Sequence, residues 1–334
     1  MKVLVTGGTG FLGANVVRHL LARGDEVICT TRRTSPGLCL EGLDVTLDPT
    51  PLDDLEALKR RLDGIEGVYH LAGTFDPGPK GEALMRTIHV DATRNLCEAS
   101  VAAGVRRLIL CSSSITVGWG GLDDPGDESR PVADLDSYYG PSGPLRAYHD
   151  TKAEAEALVR TYLDRGLETV TVNPDYILGA WDIKPTSGAM VLAMAKRWMP
   201  VYPKGGKCFQ DADDCALGHL YAMDRGVPGE RYLLGRWNLS YRDFLGTVAR
   251  VVGRRPPAFP LPRRVGSVAG RVGAVLQRFD PHKFAGLDRY VLRSMAEERY
   301  RSGMRAVDEL GVPETPIEQS IEKAWRWFKD HDYC

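Results

Sequence analysis

Short apolar runs and stretches of helical periodicity take turns along the first half of the chain. Val3, Leu4 and Val5 form an apolar run that ends at glycine, as a buried strand does. Phe11, Ala14, Val17 and Leu21 then fall on one helical face, and Gly24 stops the pattern. Further strands are predicted over residues 26–31, more weakly over 43–47, and over 68–71, 108–111 and 169–172. Helices are predicted between them over 52–62, 83–103 and 146–165. Apolar strands alternating with amphipathic helices predict an α/β protein with a parallel sheet covered on both faces. Right-handed crossovers make a doubly wound sheet the economical topology.

After about residue 180 the rhythm breaks. Residues 254–264, RRPPAFPLPRR, are proline-rich and read as irregular, 265–279 as an apolar helix, and 317–329 as a final helix carrying Trp325 and Phe328. The expected organisation is a dinucleotide-binding domain over residues 1–180 and a smaller mixed substrate-binding lobe over 181–334. The apolar residues Met190, Leu192, Trp198, Tyr202, Val265 and Val268 of that lobe suggest an apolar substrate.

Composition narrows the partners. With 334 residues, 43% hydrophobic and 26% charged, the chain can bury a core without disulfides. Its 43 basic and 44 acidic residues leave a net charge of -1, without the basic surplus that a nucleic-acid backbone asks for. No run of about 18 apolar residues predicts a membrane span. The opening Met1-Lys2-Val3-Leu4-Val5-Thr6 meets glycine at once, so no secretory leader is expected. Seven cysteines, odd in number and without a CxxC pair, read as reduced thiols of a cytoplasmic protein. The seven histidines lack metal-ligand spacing, so no metal is expected.

The chemistry begins in the first turn. Gly7-Gly8-Thr9-Gly10-Phe11-Leu12-Gly13 joins the first strand to the first helix, the context in which GxGxxG marks a Rossmann dinucleotide site. Such a site needs glycine for the tight turn, for close approach of backbone amides to a pyrophosphate, and for packing of helix on strand. The amides and dipole of the new helix favour the phosphate charge. Gly7, Thr9, Gly10, Phe11, Leu12 and Gly13 are therefore the expected contacts. An NAD site usually places an acid at the end of the second strand, where this chain reads Thr30-Thr31-Arg32-Arg33. A guanidinium there suits a 2′-phosphate. NADP(H) is the favoured cofactor, held by Arg32 first and Arg33 second, with NAD(H) the alternative.

Tyr148 and Lys152 lie four apart, one turn along a predicted helix, and no other tyrosine has lysine at that spacing. An ammonium beside a phenol favours the phenolate, which makes tyrosine a usable proton donor and acceptor. The fifth strand ends Cys111-Ser112-Ser113-Ser114, at the sheet edge where ligands bind. Ser114, with Ser113 as fallback, is the expected holder of a substrate carbonyl. His149 is read as facing solvent or substrate on another helix face.

Glycine loop, serine cluster and YxxxK, in this order, resemble the extended short-chain dehydrogenase/reductase family over nearly the whole chain. His70-Leu71-Ala72-Gly73 is similar to the family's motif after the fourth strand, and Asn173-Pro174-Asp175-Tyr176-Ile177-Leu178-Gly179 to its motif after the sixth. The run from Trp181 to Gly188, Asp213-Asp214 before Gly218-His219, and Pro228-Gly229-Glu230-Arg231-Tyr232 resemble the dihydroflavonol-reductase-like branch, which includes hopanoid-associated reductases. The resemblance implies that Leu71, Ala72, Gly73, Pro174 and Ile177 line the cofactor and that Asp48 is the nearest match to an adenine-contacting acid. It also implies that Tyr148 donates the proton, Lys152 holds the nicotinamide ribose, and Ser114 orients the carbonyl. His89 stands where the family usually has asparagine, and residues 119–144 form a long, substrate-side loop.

The expected function is NAD(P)H-dependent reduction of a carbonyl on a bulky, fairly apolar small molecule. The alternatives are an NAD-dependent nucleotide-sugar epimerase or dehydratase, and a non-catalytic dinucleotide sensor. The long helices at 83–103 and 146–165 resemble those that pair two-fold in many relatives, which points to a homodimer.

Overall fold

The computed structural model describes residues 1–31, 37–262, 272–273, 275–277, 279–283 and 285–334. Its central sheet uses β1 (Lys2–Thr6), β2 (Glu26–Thr30), β3 (Thr46–Asp48), β4 (Gly67–His70), β5 (Arg107–Cys111) and β6 (Glu168–Pro174). After β7 (Tyr176–Leu178), β8 (Val201–Tyr202) and β9 (Gly206–Asp211), β10 (Arg231–Leu234) returns to pair with β6. The order is β10-β6-β5-β4-β1-β2-β3, all pairs parallel. The order reverses between β1 and β4, and the crevice beyond their carboxyl ends is where such a sheet binds ligands.

The strand alternation shows in the packing. Val3, Val5, Tyr69 and Ile109 face one core with α1 (Phe11–Arg23) and α8 (Ala212–Arg225). Leu4, Val68, Leu108 and Leu110 face the other, beneath α2 (Leu55–Arg61), α4 (Ala92–Ala103) and α6 (Pro144–Arg160). Side chains two apart share a face, so each strand needs apolar residues at every position when both faces are covered.

Several boundaries move for local reasons. The third strand forms at 46–48 rather than 43–47. The helix after it starts at Leu55 because the Asp54 carboxylate accepts the amide of Ala57 and caps it. The long helix expected over 83–103 is α3 (Gly81–Arg86), a π turn over Thr87–Asp91, and then α4. The π turn adds a residue to the winding and buries His89 and Val90. α6 begins with proline at its first position and ends at Arg160, short of 165.

A smaller sheet orders β11 (Trp237–Ser240), β9 and β13 (Glu298–Arg299), with β7 also on β9. Within 254–264, Phe259–Pro260 (β12) pairs with β8. The helix expected over 265–279 lies mostly outside the described residues. The final helix, Ile317–Asp330, buries Ile321, Ala324, Trp327 and Phe328. No helix among the described residues is long and apolar enough to cross a membrane.

The core of this lobe is anchored by Phe209 of β9 stacked on Phe244, rings 4.2 Å apart and both fully buried, with Leu178, Val191, Met194, Val248 and Ile321 around them. Phe244→Ala should cost about 3–5 kcal/mol in urea unfolding, the transfer and cavity terms together. A loss below about 1 kcal/mol would mean that the stack does not hold the lobe.

Candidate active site

The glycine loop is shaped by what surrounds it. Gly7 has φ +73°, and a Cβ on it would lie 2.7 Å from the backbone of Leu71 and Ala72. A Cβ on Gly13 would lie 2.2 Å from the Gly7 carbonyl oxygen. Those two positions are glycine because β1, β4 and α1 converge there. Gly10 is exposed, and a Cβ on it would meet only the Gly7 oxygen, at 3.3 Å. Its open side therefore faces outward, away from the packed turn. Gly10 caps α1 without a side chain, and the Phe11, Leu12 and Gly13 amides have no acceptor among the described residues. Thr9, Phe11 and Leu12 are partly exposed beside them. Free amides at a helix start, with an open approach, fit the pyrophosphate of a dinucleotide. Arg32 and Arg33 lie outside the described residues. Asp48 ends β3 beside Thr30, accepts the Thr50 amide at 2.7 Å and pairs with Arg61 at 2.8 Å.

Two buried histidines tie the crevice together. The Ala72 amide donates to Thr6 Oγ1, Thr6 Oγ1 donates to His70 Nδ1, and His70 Nε2–H donates to Thr93 Oγ1. Thr93 in turn donates to the His89 carbonyl. His89 Nε2 accepts the Thr74 amide at 3.1 Å, so its Nδ1 carries the proton and donates to Thr151 Oγ1 at 2.9 Å. Both rings are neutral in this scheme. Burial, and then the Lys152 ammonium, lower each of them to about 3. His89, in the place of the family's asparagine, fastens the loop after β4 to α6.

One stripe of α6 carries Tyr148, Lys152 and Glu156, each a turn apart. Lys152 is buried, and its Nζ donates to the Cys111 carbonyl at 3.0 Å. A Cβ on Gly73 would lie 3.2 Å from that Nζ, so the loop after β4 presses close to it. The buried Glu156 carboxylate accepts from Ser112, from Thr116 at 2.7 Å and from Asn173 at 2.7 Å, and pairs with Arg231 at 3.2 Å. The Ser113 hydroxyl accepts the Ile115 amide and caps the turn. Ser114 is 8% exposed, and no intramolecular hydrogen bond occupies its hydroxyl among the described residues. The fallback serine is thus used by the fold and the first choice is free.

Ser114 and Tyr148 line one cavity of about 300 Å³ with Phe75, Ile115, Leu145 and Tyr176. The Tyr148 ring packs edge-on against Phe75 and His89. Tyr139, from the long loop, also lines it. His149 is buried against Tyr139 with Nδ1 on Asp150, not facing solvent. The apolar residues first suggested for the substrate do not form this wall: Met190 and Tyr202 pack into the second lobe's core, Leu192 is buried beside Phe328, and Trp198 is exposed. Val265 and Val268 lie outside the described residues. Leu71 and Ile177 pack against the first core, and Pro174 closes β6 beside Leu234.

Sequence reasoning missed Glu156, although its spacing of eight from Tyr148 was a readable sign. It also missed a charged wall made by Asp175, Lys207, Arg299 and Arg301, drawn from β9, β13 and the segments beside them. Asp175 and Arg301 form a buried ion pair at 2.7 Å.

The NAD dependent epimerase/dehydratase family matches residues 3–235. The chain is 34% identical to a protein of Synechocystis sp. provisionally named dihydroflavonol 4-reductase, over 98% of this chain and 95% of that one. It is 31% identical to sterol demethylase protein B of Methylococcus capsulatus, over 99% of both. Among solved structures it is similar to a nucleoside-diphosphate-sugar epimerase from Pseudomonas aeruginosa, with TM-score 0.78, 27% identity, and 100% and 99% of the two chains covered.

The histidine pair makes stability depend on pH. Unfolded histidines take up protons below about pH 6.5, whereas His70 and His89 stay neutral in the fold down to about 3. The unfolded chain therefore binds more protons across that window. The stability from this pair is complete above about pH 6.5 and is lost as the pH falls toward 3. Urea midpoints should drop between about pH 6.5 and 4, and less steeply in His89→Asn. Equal slopes in the two proteins would contradict the neutral scheme.

Proposed function

The chain belongs to the NAD dependent epimerase/dehydratase family, the extended short-chain dehydrogenases/reductases, and from that premise we propose that it reduces a carbonyl on a bulky, fairly apolar small molecule, with NADP(H) as the favoured cofactor. That it is an NAD(P)-dependent enzyme of the oxidoreductase kind follows from the family and its reductase-named relatives. The observation that carries the finer reading is the cavity that Tyr148 shares with a serine whose hydroxyl is free, one helical turn from a buried lysine.

When bound, a nicotinamide dinucleotide supplies the hydride. The Phe11, Leu12 and Gly13 amides would hold its pyrophosphate, and Leu71 to Gly73 would line its path. Ser114 donates a hydrogen bond to the substrate carbonyl oxygen and fixes its direction. Tyr148 gives that oxygen its phenolic proton. Lys152, one helical turn from the phenol and held on the Cys111 carbonyl, would hold the nicotinamide ribose. Phe75, Ile115, Leu145 and Tyr176 offer an apolar wall to the rest of the substrate. The name of the Methylococcus relative, which couples it to sterols, supports a bulky apolar body.

A nucleotide-sugar epimerase reading draws on the likeness to the Pseudomonas structure. It differs in one measurable way, because the dinucleotide is recycled and no net oxidation of NADPH occurs. A non-catalytic dinucleotide sensor differs in another, because its biological role would survive loss of the phenol.

Tyr148→Phe should lower kcat for ketone-dependent NADPH oxidation by about 10²–10⁴ while NADPH still binds. Full activity in that variant would remove the phenol from the reaction. NADPH should bind more tightly than NADH, and Arg32→Ala should weaken NADPH by about tenfold or more. An NADH preference untouched by Arg32→Ala would reverse the cofactor assignment.

A further inference from the structure

The cavity that holds the proposed proton donor is also lined by a group of cations. Lys207, Arg299 and Arg301 all line it. Arg301 is fully used: it pairs with Asp175 and donates to the carbonyls of Val117 and Gly118. Arg299 is 4% exposed and pairs through one terminal nitrogen with Glu297 at 3.1 Å. Its Nε is buried without a hydrogen-bond partner among the described residues, while its guanidinium lies over the Trp119 ring at 4.2 Å. Lys207 has neither an ion pair nor a side-chain hydrogen bond among the described residues. Asp175 is taken by Arg301, and Glu297 is shared between Arg299 and Arg293, so no carboxylate is left for Lys207 among the described residues.

Lys207 is half-buried, and a partly desolvated cation without a partner costs the fold free energy that a ligand can restore. We propose that Lys207 and Arg299 form an anion subsite, so that the substrate is a carbonyl compound that also bears a carboxylate, its ketone at Ser114 and Tyr148 and its carboxylate on Lys207 and Arg299. This rests on the reductase reading and names its substrate class. The Lys207 ammonium and the unpartnered Arg299 Nε offer donors to the two oxygens of one carboxylate. Phe75, Ile115, Leu145, Tyr176, Tyr290 and Val291 give much of the remaining lining an apolar or aromatic character that suits the body of a keto acid, with Ser113 and Ser294 among them. Desolvation at the wall lowers Lys207 to about 8, against the pull of Asp175, in keeping with an ammonium that lacks a counter-ion.

The test uses a homologous series of aryl keto acids that steps the carboxylate away from the ketone one methylene at a time, each paired with its methyl ester. NADPH oxidation is followed with the wild type, Lys207→Met and Arg299→Leu. At the best spacing the acid should exceed its ester in kcat/KM by about ten- to a hundredfold, mostly through KM, the worth of a charge-assisted contact. Lys207→Met should collapse that ratio and raise the melting temperature, because it removes an uncompensated charge; a merely structural lysine would lower it. Should Arg299→Leu fail to fold, Lys207→Met alone decides.

Esters reduced as well as acids, or a Lys207→Met loss that is equal for acid and ester, would overturn the subsite and leave the reductase reading standing. If neither acid nor ester oxidises NADPH, the reductase reading falls, and calorimetry on the acids with NADPH present still reads the subsite. There, affinity weaker by about tenfold in Lys207→Met supports it, and unchanged affinity refutes it. Tighter binding of a nucleoside diphosphate than of any keto acid would also overturn the carboxylate assignment.

Discussion

The site depends on how one stripe of α6 is clamped to the carboxyl end of β5. Lys152 holds the last carbonyl of the strand, and Glu156 gathers Ser112, Thr116 and Asn173 around one buried carboxylate that Arg231 balances. A buried carboxylate is tolerable only when its oxygens are filled and a cation stands near. The turn that bears Ser114 therefore cannot shift without leaving that charge unsatisfied. Tyr148 rides on the same helix, so phenol and hydroxyl are set relative to each other before any ligand arrives. Preorganisation of this kind comes from the shell behind the reacting groups, not from the groups themselves.

The histidine network extends the clamp to β1 and β4. It runs from the Ala72 amide through Thr6 and His70 to Thr93, and from Thr74 through His89 to Thr151 on α6. Each ring uses one nitrogen as donor and the other as acceptor, which only the neutral form can do. Lys152 nearby reinforces that state, since a second cation in the same buried space would be repelled. The π turn that carries His89 is what brings the ring within reach of both the β4 loop and α6.

The parallel sheet was legible because burial on both faces leaves continuous apolar runs, and the glycine loop because steric crowding at Gly7 and Gly13 admits nothing larger. The tyrosine and lysine were legible through helical spacing. Helix ends were less so, because Asp54 and the π turn act through side-chain bonds that periodicity does not register. Most of the cavity wall was not legible. Asp175, Lys207, Arg299 and Arg301 come from widely separated segments and meet only when β9 pairs with β13 and β7. Met190 and Trp198 read as substrate contacts because apolarity alone does not distinguish a core, an exposed surface and a pocket.

On the proposed reading, a cavity lined both by neutral donors and by a cation without a counter-ion selects by orientation as well as by affinity. A molecule that is only apolar can enter either way round, and its carbonyl meets Ser114 in a fraction of its poses. A molecule with an anion at one end has a single low-energy direction, since the reverse would bring its charge among Phe75, Ile115 and Leu145 and leave the cationic wall unmatched. In a space of low dielectric both errors are costly. On the proposed reading, the free energy that the fold gives up to keep Lys207 without a partner among the described residues would be returned as alignment of the ketone with the phenol, the term that proximity contributes most to a two-centre reaction.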